Sequence, residues 1–327
     1  MLFFKAQLLS LALFQGLVHS AAITPSSPKL ATLLPWERTS SAGFGTLTTH
    51  TLNNGTVLRV TINNPPINLY DNRLINDMND FLTALVPGVT NVTTPPPKVV
   101  IFASAIPGFW IEQYDLNLLN PTTNPFDTEY SNKLFGLAIA APVLLRTLPT
   151  IFIAEINGRA SGSGNEFLVQ CDMGFAGPEA IVGSLEVALG GLEGNGGIQY
   201  LVRRIGMARA AEYLLASASI DAETAARVGW VNQAYKTSYD LTTSVNALAS
   251  RIAIFDAGAL NGTKSAIRAF GPSAEQSAAD IATILRLFPE EQKILPKWLL
   301  LSQNQTRGEF ELDSLRSIED VRKLYEE

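Results

Sequence analysis

A glycine-rich run that follows an apolar stretch constrains this chain more than any other feature. Ile151–Ile156 has the composition and length of a buried strand, and residues 157–172 then read NGRASGSGNEFLVQCD. Because glycine has no Cβ, a backbone built from such a run can approach a ligand closely. Glu166 stands late in this run, and Glu186 stands ahead of a second glycine-rich run that reaches Gln199. Two carboxylates in these settings predict proton transfer beside a stabilised oxyanion.

The hydrophobic pattern along the chain alternates between the periods of strands and helices. Leu58, Val60 and Ile62 recur at every second position, as in a strand. The predicted strands are 57–62, 99–103, 151–156 and 231–234, and the predicted helices are 72–85, 133–147, 200–204, 208–216, a short helix capped by Asp221, and more helices from 239 onward. Pro142 is expected to kink or divide helix 133–147. The alternation favours an α/β architecture.

Composition favours a globular enzyme and argues against several kinds of site. Hydrophobic residues make up 46% of the chain, and the net charge of −6 disfavours a broad nucleic-acid surface. His19 and His50 are the only histidines, so a Ser-His-Asp triad or a catalytic zinc site is hard to build. The lone Cys171 cannot form an intrachain disulfide, and its apolar neighbours predict a buried thiol. We therefore expect catalysis by carboxylates and backbone amides, without a metal or cofactor.

The first twenty residues have the pattern of a secretory signal peptide. Lys5 precedes an apolar run from Leu8 to Val18, with small residues after it. A mitochondrial transit peptide is the competing interpretation, although the first thirty residues contain no Arg. The run is too short to span a bilayer, and no later segment is long and apolar enough to do so. The expected segments are a signal peptide 1–20, an extended leader 21–45, a core 46–238, and a C-terminal helical region with a charged tail 239–327.

Secretion would expose the chain to glycosylation. Sequons occur at Asn54, Asn91, Asn261 and Asn304. They are compatible with a secreted glycoprotein, but a chain of this composition would contain about three by chance. Their number therefore adds nothing to the expectation from the signal peptide.

Both glycine-rich runs contain Gly and acidic residues in fixed register. The first run carries Asn157, Gly158, Ala160, Gly162, Gly164, Glu166 and Asp172. The second carries Glu186, Gly190, Gly194, Gly196, Gly197 and Gln199. These positions resemble the crotonase family of enoyl-CoA hydratases and isomerases, whose patterns are N-G-x-A-x-G-G-G-x-E-x-x-x-x-x-D and G-x-x-P-G-x-G-G-x-Q. The resemblance covers about residues 46–300, and it implies an α/β crotonase-like spiral of repeated β-β-α turns with C-terminal helices that support a homotrimer or hexamer.

The resemblance also implies a role for individual residues. Glu166 and Glu186 would be the acid and base that add water to an enoyl-CoA or another acyl thioester. The backbone N–H groups of Glu112 and Ser163 would form the oxyanion hole. The implied substrate-binding positions are Gln113, Tyr114, Asp115, Gly162 and Gly194, with the Gly194 N–H helping to hold the water.

The first oxyanion loop departs from the family pattern. Glu112, Gln113 and Tyr114 stand where the family has small residues. The Glu112 carboxylate either points away from the pocket or enters it as a third titratable group that would repel an oxyanion. Two other functions stay open, namely an isomerase that needs one glutamate and a secreted, non-catalytic binding protein on the same fold. Retention of both glutamates favours the hydratase.

Overall fold

The computed structural model describes residues 44–89, 94–120, 129–306, 308–313 and 318–325. The predicted signal peptide, nearly all of the leader and the sequon at Asn91 lie outside these residues. Within them, the helices are too short or too polar to cross a membrane. The asparagines of the other three sequons, Asn54, Asn261 and Asn304, are exposed.

In the described part of the chain, ten strands form two sheets. The strands are β1 Leu47–Leu52, β2 Val57–Ile62, β3 Val99–Ser104, β4 Gly108–Ile111, β5 Ile151–Ile156, β6 Gly158–Ser161, β7 Met173–Ala176, β8 Ile181–Gly183, β9 Ile220–Asp221 and β10 Gln233–Ala234. Their order is β1-β2-β3-β5-β7-β10 in the larger sheet and β4-β6-β8-β9 in the smaller one.

The helices alternate with these strands and then continue alone to the end of the described chain. They are α1 Asn72–Ala84, α2 Glu129–Thr147, α3 Ser163–Gln170, α4 Gly197–Ile205, α5 Met207–Leu215, α6 Ala222–Val228, α7 Ser238–Ala253, α8 Ala257–Arg268, α9 Ala274–Leu301, α10 Gly308–Asp313 and α11 Ile318–Tyr325. The Asp221 side chain accepts a hydrogen bond from the Thr224 N–H and so caps α6, as the sequence predicts.

Each turn of the chain adds one strand to each sheet. β3, β5 and β7 are parallel neighbours in the larger sheet, while β4, β6 and β8, which follow them in sequence, are parallel neighbours in the smaller sheet. This is the predicted spiral of β-β-α turns. It also brings distant residues together, because Ser161 at the end of β6 pairs with Gly183 at the end of β8. The segments that carry Glu166 and Glu186 therefore leave the sheet side by side.

The central strands are buried on both faces, which explains their continuous apolar sequence. Phe102 of β3 stacks on Phe152 of β5 at 5.9 Å between ring centroids, and both belong to the main core. The side chains next to them in sequence point the other way. Ile101 and Ile153 accordingly pack against α7 at Val245.

Several predicted elements differ from those in the structure. β1 was not predicted, and it forms by antiparallel pairing with β2. Pro142 does not divide α2, which runs through it from Glu129 to Thr147. The last predicted strand, 231–234, is reduced to the two residues of β10. Cys171 is fully buried, as expected, and burial raises the pKa of its thiol to about 12.

Candidate active site

Glu166 lies in the first turn of α3, which starts at the end of β6. Its Oε1 accepts a hydrogen bond of 2.7 Å from the Gly194 N–H. Burial, and then the negative charge of Glu186, raises the pKa of Glu166 to about 8, against the lowering effect of that hydrogen bond. The Gly194 amide, expected from the sequence to hold a water, is directed at the Glu166 carboxyl group itself.

Glu186 follows β8 and precedes a short 3₁₀ helix, Val187–Leu189. The Ser184 hydroxyl donates to its Oε2 at 2.5 Å. Its Oε1 lies against Gly162, where a Cβ atom would come within 2.8 Å of that oxygen. Gly162 also has φ +50°, a conformation that L side chains rarely adopt. Glycine at 162 therefore allows α3 and the Glu186 carboxyl group to approach each other.

Both glutamates line a single cavity of about 120 Å³. Gln113, Tyr114 and Ser163, three other residues proposed from the sequence, line it as well. Its remaining wall includes apolar side chains of α2 and α9, such as Ile139, Ile284 and Phe288. The structure thus brings the two predicted carboxylates together beside the N-terminus of α3, where helix amides favour an anion.

The C-terminal helix α9 contributes a further acidic group that sequence reasoning missed. Glu291 lines the same cavity, and burial together with the charge of Glu186 raises its pKa to about 7. The helix also packs tightly on the second glycine-rich run, since a Cβ on Gly194 would lie 2.2 Å from Ile284 Cδ1. Glycines in this run therefore allow a helix of the same chain to pack closely. The sequence pattern alone cannot distinguish this packing from the close approach of a ligand.

Glu112 is oriented away from the cavity. Its side chain is 0% exposed, and its Oε2 lies 3.6 Å from Arg159 Nε. Its backbone N–H donates to the Asn68 carbonyl oxygen at 3.1 Å. Of the two orientations considered from the sequence, the structure has the one that leaves the pocket free of this carboxylate. The expected oxyanion donor is therefore already engaged within the protein.

The other residues of the first loop contact the C-terminal segment. Gln113 Nε2 lies 3.3 Å from Glu311 Oε2 and 3.4 Å from Gln305 Oε1. Asp115, proposed as a substrate-binding residue, accepts a 2.6 Å hydrogen bond from Gln305 Nε2. It also accepts from the Asn117 N–H and so caps another 3₁₀ helix, Leu116–Leu119. In the structure Asp115 thus fixes the loop, whereas Tyr114 lines the cavity.

Another glutamate, Glu193, lies beside Glu166 and Glu186 and was not singled out from the sequence. Glu193 is 2% exposed, and its Oε1 accepts a 2.7 Å hydrogen bond from Asn165 Nδ2. Burial, followed by the charges of Glu186 and Glu166, raises its pKa well above the ordinary value. The sequence did contain a sign of it, because Glu193 occupies the place of the proline in the family pattern G-x-x-P-G-x-G-G-x-Q.

Comparison with known proteins places the chain in a family. Residues 52–290 match the sequence profile described as enoyl-CoA hydratase/isomerase. The chain belongs to that family. A protein of Streptomyces avermitilis assigned as an enoyl-CoA hydratase has a structure with a TM-score of 0.70 and 35% identity, over 83% of this chain and 95% of that one. This agreement also establishes the crotonase fold.

Curated members of the family are similar over shorter stretches. The 2,3-dehydroadipyl-CoA hydratase of Escherichia coli is 36% identical over 116 residues, which is 36% of this chain and 45% of that protein. A protein of Mycobacterium leprae assigned as an enoyl-CoA hydratase is 30% identical over 212 residues, 64% of this chain and 76% of that protein. The chain spans about half the length of several such relatives.

Proposed function

We propose that this protein adds water across the Cα–Cβ double bond of an enoyl thioester, with acyl-CoA as the substrate class. The observation that carries the proposal is the pair of carboxyl groups, Glu166 and Glu186, on one cavity beside the N-terminus of α3. Relatives named as enoyl-CoA hydratases support the same class of reaction. Two carboxyl groups suit a hydration, because one can take a proton from water while the other supplies a proton to carbon.

The raised pKa of Glu166, about 8, leaves this residue protonated at neutral pH and suits it to be the acid. Glu186 takes a proton from water as the water oxygen bonds to Cβ. The electron pair of the double bond then moves to the thioester carbonyl, which becomes an enolate, and Glu166 gives its proton to Cα. Proton exchange between the two carboxyl groups restores the starting state.

The enolate oxygen needs two hydrogen-bond donors, each of which typically contributes about 100- to 1000-fold in rate. The Ser163 N–H at the start of α3 is well suited to be one of them. In the first loop, the Tyr70 N–H donates to the Gln113 carbonyl oxygen and the Asp115 N–H donates to the Tyr70 carbonyl oxygen. These two hydrogen bonds form a parallel β-bridge between Tyr70 and Tyr114. In such a bridge the N–H of Tyr114 points away from Tyr70. This geometry favours Tyr114 over Glu112 as the second donor.

The proposal is tested with the purified protein and crotonyl-CoA. Hydration removes the conjugated thioester absorbance and produces the 3-hydroxyacyl thioester, which chromatography of the products identifies. A shifted double bond without added water would instead favour an isomerase. Tight binding of acyl-CoA with no product of either kind would reject both enzymes in favour of a binding protein.

A further inference from the structure

The carboxyl groups of Glu166, Glu186 and Glu193 form what we call the cavity cluster. Glu193 lies behind the pair, and Gly197 separates it from Glu166. A Cβ on Gly197 would lie 2.7 Å from Glu193 Cγ and 3.2 Å from Glu166 Cγ. No Lys or Arg of the described residues forms an ion pair with any of the three. Three neighbouring carboxyl groups without a cation, of which Glu193 is buried and the other two are half-buried, cannot all ionise readily at neutral pH.

The two oxygens of Glu193 have different surroundings. Oε1 accepts the hydrogen bond from Asn165 Nδ2, and Asn165 is itself held by Trp230, whose Nε1 donates to Asn165 Oδ1 at 2.8 Å. Oε2 is buried and receives no hydrogen bond from a donor among the described residues. An ionised oxygen left without a donor would be costly in this position. A proton on Oε2 removes that cost and turns the oxygen into a donor.

A suitable acceptor for that proton is within reach. A hydrogen bond between the Glu193 and Glu186 carboxyl groups contributes to the raised pKa of Glu193, so Glu186 is the neighbouring acceptor for that proton. The Ser184 hydroxyl, which also lies near Glu193, donates its hydrogen to Glu186 Oε2 at 2.5 Å and so leaves Glu193 Oε2 without a donor from the described part of the chain. A hydrogen bond from Oε2–H to Glu186 would therefore complete the contacts of both side chains.

We propose that Glu193 is a neutral positioning residue, which donates a hydrogen bond from its protonated carboxyl group to Glu186 and keeps Glu186 ionised and oriented as the base. This inference rests on the proposed hydration, in which Glu186 takes the proton from water. Hydrogen bonding to an ionised carboxylate favours the charged form. Glu193 thereby offsets the repulsion that Glu186 experiences from Glu166 and, across the cavity, from Glu291.

Other charged groups of the neighbouring elements act on the pair without contacting Glu193. Asp280 of α9 raises the pKa of Glu166 through its charge. Arg146 of α2 approaches the same loop at Gly196, where a Cβ would lie 3.5 Å from its Nη1, and it hydrogen-bonds to Tyr200. Glu193 is thus the group placed to tune Glu186 directly.

The test compares Glu193→Gln with Glu193→Leu in the full chain. A glutamine reproduces a protonated glutamate, because its carbonyl can accept from Asn165 and its amide can donate to Glu186. We expect Glu193→Gln to keep kcat for crotonyl-CoA within about threefold of wild type. Glu193→Leu should lose about tenfold or more, the effect of removing one hydrogen bond to a charged group, and its acidic pH limb should move to higher pH.

A loss of 100-fold or more in Glu193→Gln would overturn the inference, because it would make the ionised or proton-transferring form of Glu193 essential. An unchanged pH profile in Glu193→Leu would overturn it as well and leave Glu193 a packing residue.

A second measurement, of thermal stability, does not depend on enzymatic activity. A carboxyl group that stays neutral when folded must ionise on unfolding, so Glu193→Gln should gain Tm over wild type between pH 5 and pH 8.

Equal Tm differences at the two pH values would contradict the protonated state of Glu193 whether or not the protein hydrates crotonyl-CoA. Conversely, a Tm difference that grows with pH in a protein without turnover would reject the proposed function while supporting the protonated Glu193. The two failures are therefore distinguishable. Glu212→Gln, on the exposed surface of α5, is the matched control and should change neither readout.

Discussion

The protein contains two groups of neighbouring carboxyl side chains, and they differ in what surrounds them. The cavity cluster has no ion-paired cation among the described residues, and two of its members face a cavity. The second group, which we call the C-terminal cluster, consists of Glu112, Arg159 and Glu311. It contains its own cation, and its members lie outside the lining of the cavity.

Burial is the largest cause of the raised pKa values in both clusters. It raises the pKa of Glu112 to about 7 against the lowering effect of Arg159, and it raises the pKa of Glu311 to about 8 with help from the charge of Glu112. A raised pKa therefore does not separate the two groups. Access to the cavity separates the two clusters, because a carboxyl group can exchange protons only with a substrate that reaches it. The first cluster therefore carries the proposed chemistry, whereas the second joins the first loop to the C-terminal segment through the contact between Gln113 and Glu311.

The largest expected effect on turnover is at Glu166 and Glu186, the proposed acid and base. Glu166→Gln and Glu186→Gln each remove a proton-transfer group while keeping its size, so each should lower kcat for crotonyl-CoA by about 10²- to 10⁴-fold. Circular dichroism and Tm should show that both variants fold. The control Glu212→Gln changes an exposed glutamate of α5 and should retain full activity. Near-normal turnover in either variant would remove that residue from the mechanism.

Substitution of Gly162, which packs against the Glu186 carboxyl group, is expected to lower kcat by less than the glutamate substitutions. In Gly162→Ala the new Cβ meets Glu186 Oε1 at 2.8 Å, so the Glu186 carboxyl group must move. We expect kcat to fall by about 10- to 100-fold, with a stability loss of about 1 kcal/mol from the positive φ.

Gly206 provides the matched control for that substitution. It has φ +83°, and a Cβ there would meet nothing within 4 Å. Gly206→Ala should therefore lose similar stability and keep its activity. If the two variants had equal kcat values, the contact between Gly162 and Glu186 would be irrelevant to turnover.

Much of the fold follows from the sequence because local patterns and tertiary contacts agree. β5 is a largely apolar run of strand length, and α1 combines a helical hydrophobic period with an Asp71 side chain that caps its start. β1 lacks such a signal, since only Leu47 of its sequence LTTHTL is fully buried, and pairing with β2 determines its conformation. The trimer or hexamer and the secretory route implied by the sequence remain predictions.

The site was predictable in its acidic residues and less so in its backbone. Glu166 and Glu186 could be found because their spacing to glycines is a chain-local pattern. The hydrogen bond from the Glu112 N–H to the Asn68 carbonyl oxygen could not be predicted, because it depends on how two separate loops are placed in space. Glu193 was visible as a departure from a proline, but its role depends on the distances to Asn165 and Glu186 that only the fold provides.

The smallest expected effect on turnover is in the C-terminal cluster, where a substitution should change the pH dependence of stability instead. Glu311 has a folded pKa of about 8, above an ordinary value of about 4.3, so it is neutral when folded and ionises on unfolding. Its stabilising contribution is complete below about pH 4.3 and is lost as the pH rises through about 8. Glu311→Gln should therefore gain Tm over wild type as the pH rises, and the gain should grow between pH 5 and pH 8 by the equivalent of roughly 3 to 4 kcal/mol.

Turnover of crotonyl-CoA should stay within about twofold in Glu311→Gln, because the substitution leaves the cavity unchanged. Glu212→Gln should show no pH-dependent difference in Tm. A lower Tm of Glu311→Gln at pH 8 would mean that Glu311 is ionised in the fold and paired with Arg159. A large loss of activity would mean that the two clusters are coupled through Gln113, which contacts Glu311 and also lines the cavity.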